Sequence, residues 1–242
     1  MALITISGEP GCPDEELARV VAQKLEFELI TEGRLDELVA EEFGPGAPIR
    51  DEAYKPALLS VLARLATERH LVIVARGMEH VFRSFQGVLR IRVVAPEPRR
   101  AGMLMLDRRL DRPSARRLLR ALEQRERAVL KQRFRRARAS ADMFDLVLNA
   151  GSLDAEQMAA VIESAVDAKG LREQGLLSTE ADARLQFQAR LQLSRYGVVP
   201  AGPAGRRQQG FSHPSEEIFA NLLDFYRIAW QYEPRSFPIQ WD

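Results

Sequence analysis

Short runs of apolar and β-branched residues at 3–7, 71–75, 88–95 and 145–149 alternate along this chain with longer segments of helical spacing. The run at 71–75, Leu-Val-Ile-Val-Ala, has no polar face at all. A strand that is apolar on both sides belongs in a sheet covered on both faces, and parallel sheets are the ones built that way. Residues 27–31 supply a further short candidate. The helical stretches fall at 13–25, 35–43, 56–69, 99–107, 114–138 and 154–169. Leu17, Val20, Val21 and Leu25 form the inward stripe of the first, and Met158, Val161, Ile162 and Val166 that of the last. The alternation predicts an α/β fold, a three-layer parallel sheet with helices on both faces, in which 3–7 is a central strand. Ligands of such sheets bind beyond the carboxyl ends of the strands. Four segments lie there: 7–14, 76–77, 96–100 and 149–152.

The first of these segments carries the most chemistry. Ile4-Thr5-Ile6-Ser7-Gly8-Glu9-Pro10-Gly11-Cys12-Pro13-Asp14-Glu15-Glu16 reads as strand, tight turn and helix start. A phosphate-binding loop of that shape needs free backbone N–H groups, a lysine for the outer phosphates and a hydroxyl for Mg²⁺. Counted from Gly8, the lysine position holds Asp14 and the hydroxyl position Glu15. Pro13 removes one N–H. Three carboxylates in the first helical turn stabilise the helix and repel a phosphate. At ~4–5 Å and an effective dielectric near 20, that repulsion is on the order of a few kcal/mol.

Charge is distributed unevenly. Residues 1–52 carry 13 acidic and 4 basic side chains, whereas 99–138 carry 15 basic and 4 acidic ones. Such a block suits nucleic acid or another anion, or else the solvated face of an amphipathic helix. Few aromatics interleave with these arginines, so base stacking is not indicated. A single cysteine excludes an internal disulfide framework. No apolar run reaches the ~18–20 residues of a membrane span, and a cytoplasmic location is the simple expectation. His70, His80 and His213 show no zinc spacing, so no metal site is assigned.

Taken together, the segments ITISGEPG…ELA, VIVARG, RVVAPEPRR, EQRERAVLKQRF and FDLVLNAGSL resemble, in order and spacing, the cytidylate-kinase-like family of P-loop nucleoside monophosphate kinases. The resemblance covers residues 1–170. It implies a P-loop NTPase-like fold, ATP and Mg²⁺ as cofactors, and phosphoryl transfer to a nucleoside monophosphate of the CMP or dCMP type. It places Gly8, Gly11 and Cys12 in the nucleotide-phosphate loop, with Ser7 the only candidate hydroxyl for the metal. It also places Arg76 at the acceptor phosphate, and Arg125 and Arg127 in an arginine-rich clamp. Arginine suits that work through its planar, bidentate fork. Simpler readings stand beside each residue. Arg76 can be a surface arginine at a strand-end turn, Arg125 and Arg127 can pair with Glu123 and Glu126 or face solvent, and Cys12 can be an inert thiol. The degenerate loop makes weak or absent catalysis the expectation. An inactive regulatory or interaction module is the alternative to a working kinase.

Beyond Gly170 the character changes. Residues 171–197 read as a helical extension and 198–210 as a Pro/Gly-rich linker. In the last part, 211–242, a helix at 215–227 precedes a strand-like alternation at 230–241. That tail resembles the opening helix and strand of a PD-(D/E)XK nuclease-like domain, without the metal-binding residues that such a domain carries on later strands. A lone helix and strand need a partner surface to be stable.

Overall fold

The computed structural model describes residues 2–45, 49–83, 85, 87–135, 139–174, 179–201 and 211–232. Strands β1 (Leu3–Gly8), β2 (Glu28–Thr31), β3 (Leu71–Val74), β4 (Val88–Val94) and β5 (Leu146–Asn149) form one sheet in the order β2-β3-β1-β4-β5. Every pairing is parallel, and β1 lies at the centre as its apolar pattern requires. Helices α1 (Asp14–Leu25), α2 (Glu32–Phe43), α3 (Asp51–Glu68), α4 (Met78–Val81), α5 (Glu97–Arg108), α6 (Arg112–Phe134) and α7 (Ala155–Ala168) make the crossovers and the cover. Three more follow: α8 (Leu171–Gln174), α9 (Thr179–Arg195) and α10 (Pro214–Phe225).

Strand periodicity divides the core in two. Ile4, Ile6, Leu89, Ile91 and Val93 point to one face, where α1 and α7 bury Leu17, Val21, Met158, Ile162 and Val166 against them. Leu3, Leu71, Ile73 and Val88 point to the other, which is closed by Leu58, Val61 and Leu62 of α3. After residue 170, α8 buries Leu171 on the first face, while α9 and α10 complete the second. Leu193 of α9 is fully buried in it, and Phe225 of α10 meets Phe43 edge-on with ring centroids 6.3 Å apart. Asn221 ties α10 to α9 by donating from Nδ2 to the Ser194 carbonyl at 3.1 Å.

Several helix limits differ from the pattern reading, and two helices show the local reasons. Helix α3 begins at Asp51 rather than at Pro56, so Pro56 sits inside it. Asp51 and Glu52 favour the N-terminus through the macrodipole, and a proline near a helix start sacrifices only one carbonyl's partner. Helix α6 begins at Arg112, where the Asp111 side chain accepts the Ser114 N–H at 3.0 Å, and it ends at Phe134. Its arginines are the wet side of a helix whose Ala115 and Leu119 bury against Ala101 and Leu104 of α5. Of the expected linker and terminal strand, residues 202–210 and 233–242 lie outside the described residues.

Candidate functional site

The loop 9–13 joins the end of the central strand to the start of α1. Its defining contact is internal. Asp14 turns back over the loop, and its Oδ2 accepts the Gly8 N–H at 3.0 Å. The fit is close enough that a Cβ at Gly8 would lie 2.5 Å from Asp14 Cγ. Burial, foremost, raises the Asp14 pKa, and the neighbouring Glu15 charge adds to this; the N–H groups of Asp14, Gly8 and Glu15 pull the other way. A carboxylate belonging to the chain therefore occupies the Gly8 N–H. Glu15 points into solvent and pairs with Arg19 at 3.3 Å.

Gly11 makes the turn possible. It has φ +84°, and a Cβ there would come within 2.8 Å of the Arg100 carbonyl oxygen. The Cys12 N–H donates to the Glu9 carbonyl at 2.9 Å, and its thiol packs against the α1/α7 core. Burial, and next the Glu9 charge, push that thiol up to about 12, so it stays protonated. Arg100, the cation nearest the loop, is already committed. Its Nε donates to the Ala95 carbonyl at 3.0 Å, and one terminal nitrogen reaches the Pro10 carbonyl at 3.3 Å and Glu123 at 2.7 Å. Glu9 lies 3.4 Å from it as well.

Beside the loop, under α6, lies a cleft of about 380 Å³. Arg92, Arg100 and Arg127 face Glu9, Glu79, Glu123 and Glu126 across it. Glu79 is almost wholly buried, and its Oε2 has no hydrogen-bond partner among the described residues. Burial raises the pKa of Glu79 and of Glu126, with the Arg92 charge opposing in both. Arg92 sits 3.6 Å from Glu126 and donates to the Ser7 hydroxyl at 3.5 Å. Three guanidiniums against four carboxylates do not make a cradle for a polyanion.

The residues singled out from sequence are spread over this region. Ser7, Gly8, Gly11 and Cys12 lie in or beside the loop, although Ser7 is buried and turned toward Arg92. Arg76 is bound to Glu32 at 2.7 Å, and its charge reaches Glu126. Arg127 stands on the rim of the cleft, 3.8 Å from Glu123. Arg125 faces solvent on the same helix and does not line the cleft. Of the four strand-end segments, 149–152 folds against 96–100, since a Cβ at Gly151 would lie 2.8 Å from Pro96 Cδ. Arg92, Glu79, Glu123 and Glu126 were not legible as a set. An arginine alternating with Ile91 and Val93 on a buried strand was the one available signal.

The groups that the resemblance implies, ATP and Mg²⁺, do not fit these residues. The loop's Gly8 N–H is occupied by Asp14, and no side chain of the loop offers a cation or a free hydroxyl. Among the described residues no group of three or more His, Cys, Asp or Glu could hold a metal ion, and no helix is long and apolar enough to cross a membrane.

Comparison with known proteins agrees with the architecture. The cytidylate kinase-like family matches residues 35–152, a little under half of the chain, and the match starts downstream of the loop. No curated protein matches the chain in sequence. Among solved structures, an uncharacterized protein from Eubacterium ventriosum superposes with a TM-score of 0.58 at 16% identity, covering 69% of this chain and 98% of that one. A shikimate kinase from Acinetobacter baumannii, in complex with shikimate, gives 0.43 at 13% identity over 69% and 94% of the two chains. The first of these likenesses speaks to fold alone, and the second is too loose to carry an argument. The chain has a five-stranded parallel α/β fold, and its residues 35–152 are similar to the cytidylate kinase-like family.

Proposed function

We propose that this protein is a nucleotide-kinase fold that has given up phosphoryl transfer and serves as a regulatory or interaction module in the cytoplasm. One observation carries the reading: the Asp14 carboxylate is hydrogen-bonded to the loop's own Gly8 N–H. Phosphoryl transfer depends on positioning and on positive charge around the equatorial oxygens. Here the loop supplies a carboxylate instead, the nearest arginine is held by two more, and the adjoining cleft carries more acids than bases. For residues 211–232 we infer docking on α9 rather than nuclease chemistry, because α10 is anchored to α9 through Asn221.

A second reading, a working kinase for CMP or dCMP, draws on Arg127 at the cleft rim and on Arg76 within electrostatic reach of Glu126. In that reading Arg76, Arg125 and Arg127 are the catalytic arginines, and Ser7, Gly8, Gly11 and Cys12 hold the ATP phosphates. Calorimetric titration of the full chain with Mg–ATP and with CMP, alongside a coupled kinase assay, separates the two. The module reading expects no heat with Mg–ATP up to about 1 mM and no CMP-dependent ADP release. Turnover of CMP that disappears in Arg76→Ala would overturn it.

A further inference from the structure

The outer face of α6 carries a concentration of charge that the function proposed above leaves unused. Residues 112–135 hold nine basic side chains and two acidic ones. Both acids turn inward. Glu123 accepts from Arg100 at 2.7 Å, and Glu126 is buried beside Arg92, 3.6 Å away. Most of the bases turn outward, Arg133 excepted, which lies over the Tyr54 ring. Arg112, Arg116, Arg120, Arg127 and Lys131 follow one another at steps of four, four, seven and four residues, which places them in one row along the helix. Arg117 stands beside that row. At a rise of about 1.5 Å per residue the row is about 29 Å long.

Little neutralises it. Arg116 sits 3.7 Å from Glu97 and Arg127 3.8 Å from Glu123, long pairs open to solvent, of the kind that contribute least. Arg117 donates to the Ser114 hydroxyl at 2.9 Å, and its charge reaches Asp111, whose carboxylate is already taken by the Ser114 N–H. Among the described residues no ion pair ends on Arg112, Arg117, Arg120 or Lys131. Arg112 and Arg116, Arg116 and Arg120, and Arg127 and Lys131 are like charges one turn apart, an arrangement that destabilises a helix. A polyanion lying along the row would relieve that repulsion.

We propose that this face of α6 binds the phosphate backbone of double-stranded nucleic acid without regard to sequence. The chemistry of the face decides among the polyanions. A protein partner needs an apolar centre to its interface, and no large apolar side chain of α6 is exposed. Insertion into a membrane needs the apolar side of the helix, and here Ala115, Leu119 and Leu130 are buried in the fold. Single strands are held by stacking on aromatic rings, and the sole aromatic of α6, Phe134, packs inward over Gly77. There remains a straight row made mostly of guanidiniums, whose planar fork fits phosphate oxygens, to lie against a rod carrying one negative charge per ~1.7 Å. Apart from Arg127 at the rim, the row lies outside the cleft. The assignment gives the interaction module a class of partner, but it does not rest on the loop at Gly8 being silent.

Fluorescence anisotropy of the full chain with a labelled DNA duplex of about 20 base pairs tests this. At about 50 mM salt the duplex is expected to bind with Kd of order 1–50 μM, and two unrelated sequences should bind alike. Neutralising about three to five phosphates predicts a loss of about 6- to 20-fold between about 50 and 100 mM salt. Arg117→Gln, Arg120→Gln and Lys131→Gln combined should weaken binding by about tenfold or more and flatten the salt dependence. The same variant should melt no lower than the native chain, because like charges have been removed from the helix. Arg19→Gln, the loss of an exposed arginine on α1, should leave binding unchanged. Absence of saturable binding at about 50 mM salt and up to about 200 μM protein overturns the proposal. So does duplex binding that the triple variant retains in full. Tighter binding of a single strand of the same length, of phosphatidylserine vesicles or of polyglutamate overturns it in favour of that partner. None of these outcomes touches the Mg–ATP titration, which tests the loop separately.

Discussion

Exchanging Asp14 for Lys and Glu15 for Ser puts a cation and a hydroxyl where a phosphate-binding loop uses them, and its effect can be worked from the geometry. In the native loop Asp14 lies against the Gly8 N–H, so a phosphate seated there would have a carboxylate at about 4 Å. At an effective dielectric near 20 that costs about 4 kcal/mol per pair of unit charges, and partial exposure and salt reduce it to about 2. Reversing the sign turns a similar amount into attraction. The total is about 4 kcal/mol, or about a thousandfold in affinity. The fold loses a charge-assisted hydrogen bond, about 1.5–3 kcal/mol, and favourable helix-terminus charge of about 0.3–1 kcal/mol. Release of a partly buried carboxylate offsets some of that, so the variant remains folded. Calorimetry with Mg–ATP is the assay, with far-UV circular dichroism to confirm the fold. Asp14→Asn, which keeps the shape and removes the charge, should give a gain of tens-fold, on the order of half the free energy. A folded double variant that binds Mg–ATP no better than the native chain would refute the electrostatic argument. So would micromolar Mg–ATP binding by the native chain.

Other consequences are measurable on stability and reactivity. Glu79→Gln removes a carboxyl whose native pKa lies above its ordinary value of 4.5 because it is buried. The native state holds that proton more tightly, so the associated stability is complete below 4.5 and is lost as the pH rises through the raised value. The variant should therefore be more stable than the native chain at pH 8, by about 1 kcal/mol, and the difference should vanish near pH 4; equal urea midpoints at pH 8 would contradict this. Leu193→Ala should cost about 2–4 kcal/mol in urea unfolding, because α9 belongs to the core on one sheet face; a cost below about 1 kcal/mol would mean that α9 is merely appended. Cys12, with its pKa raised to about 12, should resist a thiol reagent at pH 8 until urea unfolds the chain; prompt labelling of the native protein would show that the thiol is not held protonated.

The sheet was readable because its inner runs, above all 71–75, are apolar on both faces, and parallel sheets are built to bury such runs. What the pattern could not tell was the standing of the last helices. Residues 171–197 look like an extension because α9 is rich in Gln and Arg, and its overall polarity hides the one stripe that matters. Leu193 fills a gap over α3 that only the assembled sheet creates. Pro56 misplaced the start of α3 for a related reason. A proline marks a helix start on average, but acidic Asp51 and Glu52 one turn earlier hold the terminus here.

The loop shows the same limit at the scale of a single side chain. Sequence spacing puts Asp14 in the lysine position, and the charge conflict follows at once. It does not say where the carboxylate goes. An emptied loop would leave the Gly8 N–H without its anion, and an orphaned donor is costly. Pro13, the residue preceding α1, makes no side-chain cap. Asp14 meets the need by turning back onto Gly8, and only a glycine leaves room for it to do so. On the reading proposed above, the side chain that keeps a phosphate out is also the one that satisfies the loop's own donor. Absence of phosphate binding and stability of the loop would then have a common cause, and an alanine at Asp14 should separate them. It would free the Gly8 N–H for an added anion while lowering the melting temperature, and inorganic phosphate should recover part of that loss in Asp14→Ala but not in the native chain.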